Sequence, residues 1–416
     1  MALPARTQSG TLEFRRTNRA LFLGGFSTFS LLYCVQPLMP VFAREFGLTP
    51  TQSSWALSVS TGALAICLMI ASAISDNVGR KPLMCGALLL SALITILCAF
   101  SGSYAQLLVM RALLGVALAG LPAVAMAYLS EEVDSSSLGF AMGLYIGGSA
   151  LGGMLGRVVA SILSEAWSWR AAMAVIGSFS LAAGVEFWRS LPASKRFRKS
   201  AFHPEAIAAG LRGHLKNPGL PWLFLLAFLL MGCFVSLYNY MGFRLMQPQF
   251  GLRQSQISTI FTLYLTGIFS SVATGRMADR FGRRRVLWAA ISIMAAGLLL
   301  TLSDSLLLIV PGIALFTFGF FGSHSVASSW VGRRARAPQA LASAMYLFCY
   351  YLGSSVVGSL AGTAWSSRGW SGVVASLTLC LAVSLGVALH LRHLAPIKED
   401  ASALPPRAAP DENPGA

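Results

Sequence analysis

The chain has 416 residues, of which 55% are hydrophobic and 11% charged, and its net charge is +16. Soluble domains carry about 25% charged residues, so this composition excludes an ordinary soluble globular protein and points to a membrane. The charges fall in short knots between long apolar runs, which argues against nucleic acid as the reason for the basic excess.

Twelve apolar runs are read in chain order as membrane spans: 20–42, 54–75, 82–101, 104–129, 138–163, 167–189, 220–245, 256–277, 285–303, 306–331, 338–363 and 368–392. Many reach the ~20 residues that cross a hydrocarbon core. They do not alternate in ~10-residue segments as barrel strands do. Lipid offers backbone groups no outside partner, so the spans are expected to be helices. The first run is too long for a signal-peptide core and lacks an A-x-A cleavage site, so no cleaved leader is expected.

Charge placement sets the topology. With both termini inside, the inner segments hold 24 of the 31 Lys and Arg. The outer segments hold Arg44, Arg170, Arg244, Arg253 and Arg368, and Arg111 and Arg157 lie within spans. This bias predicts a multi-pass protein with cytoplasmic termini. The expected divisions are an N-terminal tail (1–19), a six-helix bundle (20–189), a cytoplasmic linker (190–219), a second six-helix bundle (220–392) and a disordered tail (393–416). An amphipathic helix is expected in the linker around 204–215.

The two bundles share sequence. "SAISDNVGRKPLM" (72–84) matches "GRMADRFGRRRVL" (275–287), "FGLTPTQSS" (46–54) matches "FGLRQSQIS" (250–258), and "LGFAMGLY" (138–145) matches "LASAMYLF" (341–348). Both copies start and end inside, so they are parallel repeats, an architecture that rocks around a midplane site in many transporters.

The loop between the second and third spans of each half carries the pattern G-x-x-x-D-R-x-G-R-[RK]. The second copy supplies Gly275, Asp279, Arg280, Gly282, Arg283 and Arg284. The first keeps Asp76, Gly79, Arg80 and Lys81, with Ser72 and Asn77 at the other two places. With these motifs the chain resembles the major facilitator superfamily over roughly residues 20–395. Span 4 adds "RALLGVALAG", similar to the family's R-x-x-x-G pattern through Arg111 and Gly115. Span 5 carries "GGSALGGMLG", which resembles the G-P-x-x-G-G signature of the drug–proton antiporter branch, with Gly148, Gly152 and Gly153 in place and Ser149 where that branch has proline.

The resemblance implies an all-α membrane fold of twelve helices in two parallel repeats. It also implies that Asp76 meets the inner start of span 11, near Pro338, and that Asp279 meets span 5 near Leu138, so that the two loops latch the inner side. The alternative is that these charges set topology alone. Gly79 and Gly282 suit the tight turn.

Arg111 lies about seven residues into span 4, roughly 10 Å deep. An intramembrane arginine is costly unless it faces protein or water. It reads as a cavity residue, for anionic substrate groups or a proton relay, against snorkelling to the outer headgroups. Arg157 lies nearer its span's outer end, and snorkelling fits it equally. None of the fifteen acidic residues falls at mid-membrane, which leaves His324 as the central titratable group and proton-coupling candidate; the alternative is a neutral histidine bonded to its neighbours. Tyr33 and Gln36 share a face of span 1 at i, i+3. Tyr238, Asn239 and Tyr240 on span 7 suit either a substrate cavity or an interfacial belt. Gly148, Gly152 and Gly153 belong to a glycine ladder suited to close helix packing and, in an antiporter, to bending.

The seven cysteines sit in apolar runs without a CxxC pair and read as packing residues. No cofactor, metal site or catalytic constellation is expected, and the chain is not read as an enzyme. The expected function is secondary active transport by alternating access, with proton-coupled efflux of drugs, sugars or related metabolites across a bacterial inner membrane. The expected partners are a small-molecule substrate, protons and the bilayer, with no nucleic acid, and the protein is expected to act as a monomer. A facilitative or uptake carrier of the same fold and a non-transporting sensor are the alternatives.

Overall fold

The computed structural model describes residues 6–197, 204–335 and 339–394. Helix α1 runs over Leu12–Phe46 and starts under Thr11, whose hydroxyl accepts the Phe14 amide at 3.1 Å. It therefore begins within the stretch expected as tail. It is broken at the 3-10 turn Gln36–Leu38, where Pro37 and then Pro40 withhold amide donors. Helix α2, Pro50–Val78, opens on a capping box between Thr49 and Gln52. Helix α3 spans Arg80–Cys98. Helix α4, Tyr104–Glu132, is interrupted over 119–121, ahead of Pro122. Helices α5, Ser135–Ala166, and α6, Trp169–Ser190, complete the first half. Both interruptions fall in spans that were expected to be continuous.

The linker holds a helix over Pro204–Leu215, where one was expected. The second half contains α7, Leu220–Leu245, α8, Gln254–Phe281, α9, Arg283–Leu300, and α10, Leu306–Arg334. The remaining stretch, Gln339–His393, is divided at Arg368 and Gly369, whose φ values are −139° and 58°. This gives α11, residues 339–367, and α12, residues 370–393. Ten stretches are long and apolar enough to cross a bilayer, one of which contains both α11 and α12. Helix α9, whose three leading arginines lower its hydropathy, completes the twelve among the described residues. The expected start of span 11 at Pro338 and the tail beyond residue 394 lie outside the described residues.

The halves repeat each other in packing as well as sequence. A Cβ added to Gly152 would lie 2.0 Å from the Phe26 carbonyl oxygen, where α5 crosses α1. A Cβ added to Gly353 would lie 2.0 Å from that of Phe228, where α11 crosses α7. Helix α2 packs on α11, and hydrogen bonds tie them at 2.7 Å (Ser355 Oγ to the Ser58 carbonyl) and 2.9 Å (Ser359 to Ser58 Oγ). Helix α5 meets α8 through Ser161, which donates to the Gln254 carbonyl at 2.8 Å, and Glu165, which accepts the Ser255 amide at 2.6 Å. These bonds join the halves toward the end of the bundle away from the termini. Large apolar side chains such as Leu307, Phe269 and Leu379 are exposed on outer faces, while Arg111, Arg157, Gln36 and Asn239 are buried. That distribution matches a bundle surrounded by lipid.

Candidate functional site

The break in α1 points Gln36 inward. Gln36 Nε2 donates to Asn239 Oδ1 at 2.7 Å and to the Val235 carbonyl at 3.3 Å, both on α7. Its Oε1 accepts from Arg157 Nε of α5 at 2.5 Å. Arg157 Nη1 also donates to the Gly153 carbonyl one turn back. A buried polar line therefore runs from α5 through α1 to α7, across the seam between the halves.

Aromatic rings box the Arg157 guanidinium. Its carbon lies 4.2 Å from the ring centre of Tyr33 on α1, and 4.8 and 5.5 Å from those of Tyr264 and Phe261 on α8. The attraction of a cation for ring faces offsets part of its desolvation. The hydroxyls of Tyr33 and Tyr264 and the Asn239 amide nitrogen are buried without a hydrogen-bond partner. Tyr238 stacks on Phe261 at 5.4 Å and shares a hydrogen bond of 2.8 Å with Thr317. A pocket lined by Gln36, Tyr238, Gln254 and Phe261 adjoins this cluster.

The structure thus brings together Tyr33, Gln36, Tyr238 and Asn239. It adds Arg157, Phe261 and Tyr264, which sequence reasoning did not select. His324 stands in a neighbouring cluster: its Nδ1 pairs with the Tyr346 hydroxyl at 2.9 Å, and its ring lies 4.8 Å from that of Tyr350. The rings of Phe320 and Phe321 link His324 to Tyr264.

Arg111 and Tyr240 stand apart. Arg111 is fully buried and donates to backbone carbonyls: Nη1 to Leu31 at 2.9 Å, Nη2 to Leu32 at 2.6 Å and Nε to Ala56 at 2.9 Å. Leu31 and Leu32 lie in the last turn before the α1 break, where carbonyls lack helical partners. These bonds hold the Arg111 guanidinium against the α1 break. Gly115, one turn along the same face of α4, lets that face approach α2, since a Cβ there would lie 2.2 Å from the Ser60 carbonyl oxygen. Tyr240 points toward α11 and donates to the Gly358 carbonyl at 2.9 Å.

Within the glycine ladder, Gly148 and Gly152 abut the backbone of Phe22 and Phe26 on α1. Gly153 lies beside Phe29 of α1, and its carbonyl holds Arg157.

At the terminal end of the bundle, the two loop motifs turn at Gly79 and Gly282, with φ of 103° and 88°, a region that favours glycine. Arg80 is the hub of the first copy. It pairs with Asp76 at 2.6 Å and with Glu131 of α4 at 2.8 Å, binds the Ser75 hydroxyl, and lies 5.7 Å from the ring centre of Phe197 in the linker. Lys81 donates to the Leu191 carbonyl. In the second copy Asp279 pairs with Arg283 at 2.9 Å, and Arg283 also reaches Ser329. Arg284 donates to the carbonyls of Arg392 and Leu394, and Arg280 lies over Phe281. Gly275 has open space around it. Nearby, Asp134 caps α5, and the Ser136 hydroxyl and amide hold its carboxyl below the ordinary carboxylate range. Among the described residues no group of acids, histidines and cysteines is arranged to hold a metal.

The duplicated six-helix halves and their matched loops agree with the comparison to known families: the model for the Major Facilitator Superfamily matches residues 21–253 and 236–410. The chain belongs to the Major Facilitator Superfamily. It is 48% identical to the uncharacterized MFS-type transporter YybF of Bacillus subtilis, with 92% of this chain and 95% of that one covered. It is 47% identical to the inner membrane transport protein YnfM of Escherichia coli, over 92% of each. Among solved structures, a bacterial homologue of the human lysosomal transporter Spinster, inward-facing and unoccupied, superposes with a TM-score of 0.71 at 15% identity, covering 91% of this chain and 95% of that one. This superfamily member is a multi-pass membrane transporter.

Proposed function

We propose that the protein exports small organic molecules by alternating access, with proton influx as the driving reaction, as a monomer with both termini in the cytoplasm. The bundles 20–189 and 220–392 rock as units about the central seam. The observation that carries this reading is the Arg157–Gln36–Asn239 line, which joins α5, α1 and α7. Motion of one half against the other breaks the bonds that Gln36 makes to α7, and a bound substrate replaces them. Tyr33, Gln36, Tyr238 and Asn239 are the substrate contacts in this reading. His324 is the proton carrier in this reading, as the titratable side chain held against Tyr346 and Tyr350 beside the central cluster. The loops around Asp76 and Asp279 latch the cytoplasmic side, and the glycines of α5 let it pivot on α1.

The lack of any acidic residue at mid-membrane favours a second reading, an uncoupled carrier. Efflux from everted vesicles with an imposed pH gradient separates the two. Gradient-driven flux that His324→Ala abolishes is expected. Flux that persists unchanged when the gradient collapses removes proton coupling. No flux for any member of a broad substrate panel replaces the transporter reading with a sensor.

A further inference from the structure

The central cation lacks a counter-charge. Arg157 is 2% exposed and makes no ion pair among the described residues. Its Nε and Nη1 are engaged by Gln36 and Gly153, and its Nη2 donates to no partner among the described residues. Burying an isolated charge costs several kcal/mol unless it is paired, and ring faces recover only about 0.5–2 kcal/mol of that. The hydroxyls of the two tyrosines whose rings flank Arg157, Tyr33 and Tyr264, are also unpaired donors. Arg157 and Tyr33 belong to the first half and Tyr264 to the second.

We propose that Arg157 is the centre of a binding site for a small organic anion, a carboxylate with an aromatic or apolar body. A carboxylate supplies both the missing counter-charge and acceptor lone pairs for a guanidinium and for unpaired hydroxyls. The rings of Phe261 and Tyr238 supply an apolar wall for its body. A neutral sugar or a cationic drug leaves the guanidinium uncompensated. The anion also bridges the halves, since its donors come from both. This rests on the proposed transport function and names its substrate class.

The test uses the full chain in lipid nanodiscs, with benzoate and its neutral amide benzamide as probes, read by the shift in thermal unfolding midpoint across a concentration series. Benzoate is expected to stabilise the protein and benzamide is not. Tyr33→Phe and Tyr264→Phe delete hydroxyls that have no partner in the empty protein, so both variants are expected to keep or raise the unliganded midpoint. Each is expected to weaken benzoate binding about tenfold, the scale of a hydrogen bond to a charged group. Arg157→Gln is expected to abolish it. Equal binding of the acid and the amide, no benzoate stabilisation, or unchanged affinity in both tyrosine variants overturns the anion site. Flux of neutral or cationic substrates alongside any of those results leaves the transporter standing. Benzoate binding without flux for any substrate keeps the site and removes the transporter.

Discussion

Arg111 and Arg157 are both buried arginines without carboxylate partners, and they differ in what replaces one. Arg111 is satisfied by the carbonyls of Leu31, Leu32 and Ala56. Replacing it with methionine leaves the buried Leu32 carbonyl unpaired and the Leu31 carbonyl with only the weak Cys34 thiol, at about 1–3 kcal/mol for an unpaired buried acceptor. Arg111→Met is therefore expected to lower the thermal midpoint of the detergent-solubilised protein by several degrees, and Arg111→Lys to recover only part of the loss, because an ammonium lacks the guanidinium fork. An unchanged midpoint rules out this hold on the α1 break. The sequence made Arg111 conspicuous by its depth. It hid the partners, because they are backbone carbonyls, two of them freed only where α1 breaks. Arg157 was passed over for the opposite reason: its distance from the helix end allowed snorkelling, and nothing local shows that its face of α5 meets Gln36. A lone buried arginine one turn beyond a ladder glycine, with no acid at helical spacing, was the available signal.

Helix α5 carries glycines of two kinds. Gly148, Gly152 and Gly156 press on the backbone of α1, whereas Gly139, Gly143 and Gly147 have nothing within 4 Å of an added Cβ. Gly152→Ala is expected to force α5 off α1 and to cost about 1–3 kcal/mol, as overpacking does. Gly143→Ala is expected to be neutral or to stabilise by up to about 1 kcal/mol through helix propensity. Thermal unfolding of the two variants side by side tests the distinction, and equal effects refute it. The number and order of the helices were legible because apolar length and charge knots mark membrane spans directly. The breaks in α1 and α4 were not drawn, although Pro37, Pro40 and Pro122 stood in the sequence, because hydropathy averages across a kink.

Across the whole molecule the two halves are copies whose loop motifs are anchored by different charges. Glu131, which anchors Arg80, aligns in the repeat with Arg334, and Arg334 instead donates to Asn217 beside α7 at 2.8 Å. The first loop is thereby tied to its own α4 and, through Phe197 and Leu191, to the linker. The second has no such acid on α10. Asp76→Asn and Glu131→Gln are expected to raise, several-fold, the labelling rate of a single cysteine placed at Gly143 by a membrane-impermeant maleimide applied from the terminal side. Asp279→Asn is expected to have a smaller effect. Equal rates in wild type and Asp76→Asn discard the latch. The duplicated motif identified the loops from sequence, whereas the role of Glu131 depends on a turn that brings α4 beside α3.

An arginine at the seam with no counter-charge also fixes how the protein feels voltage. In the proposed cycle a carrier that holds a carboxylate against Arg157 is electrically neutral when loaded and carries the charges of Arg157 and a protonated His324 when it returns. Each elementary charge moved through 100 mV is worth about 2.3 kcal/mol. In a membrane that is negative inside, this favours the step that returns the vacant site to the cytoplasm, so the resting potential itself resets the machine toward loading from within.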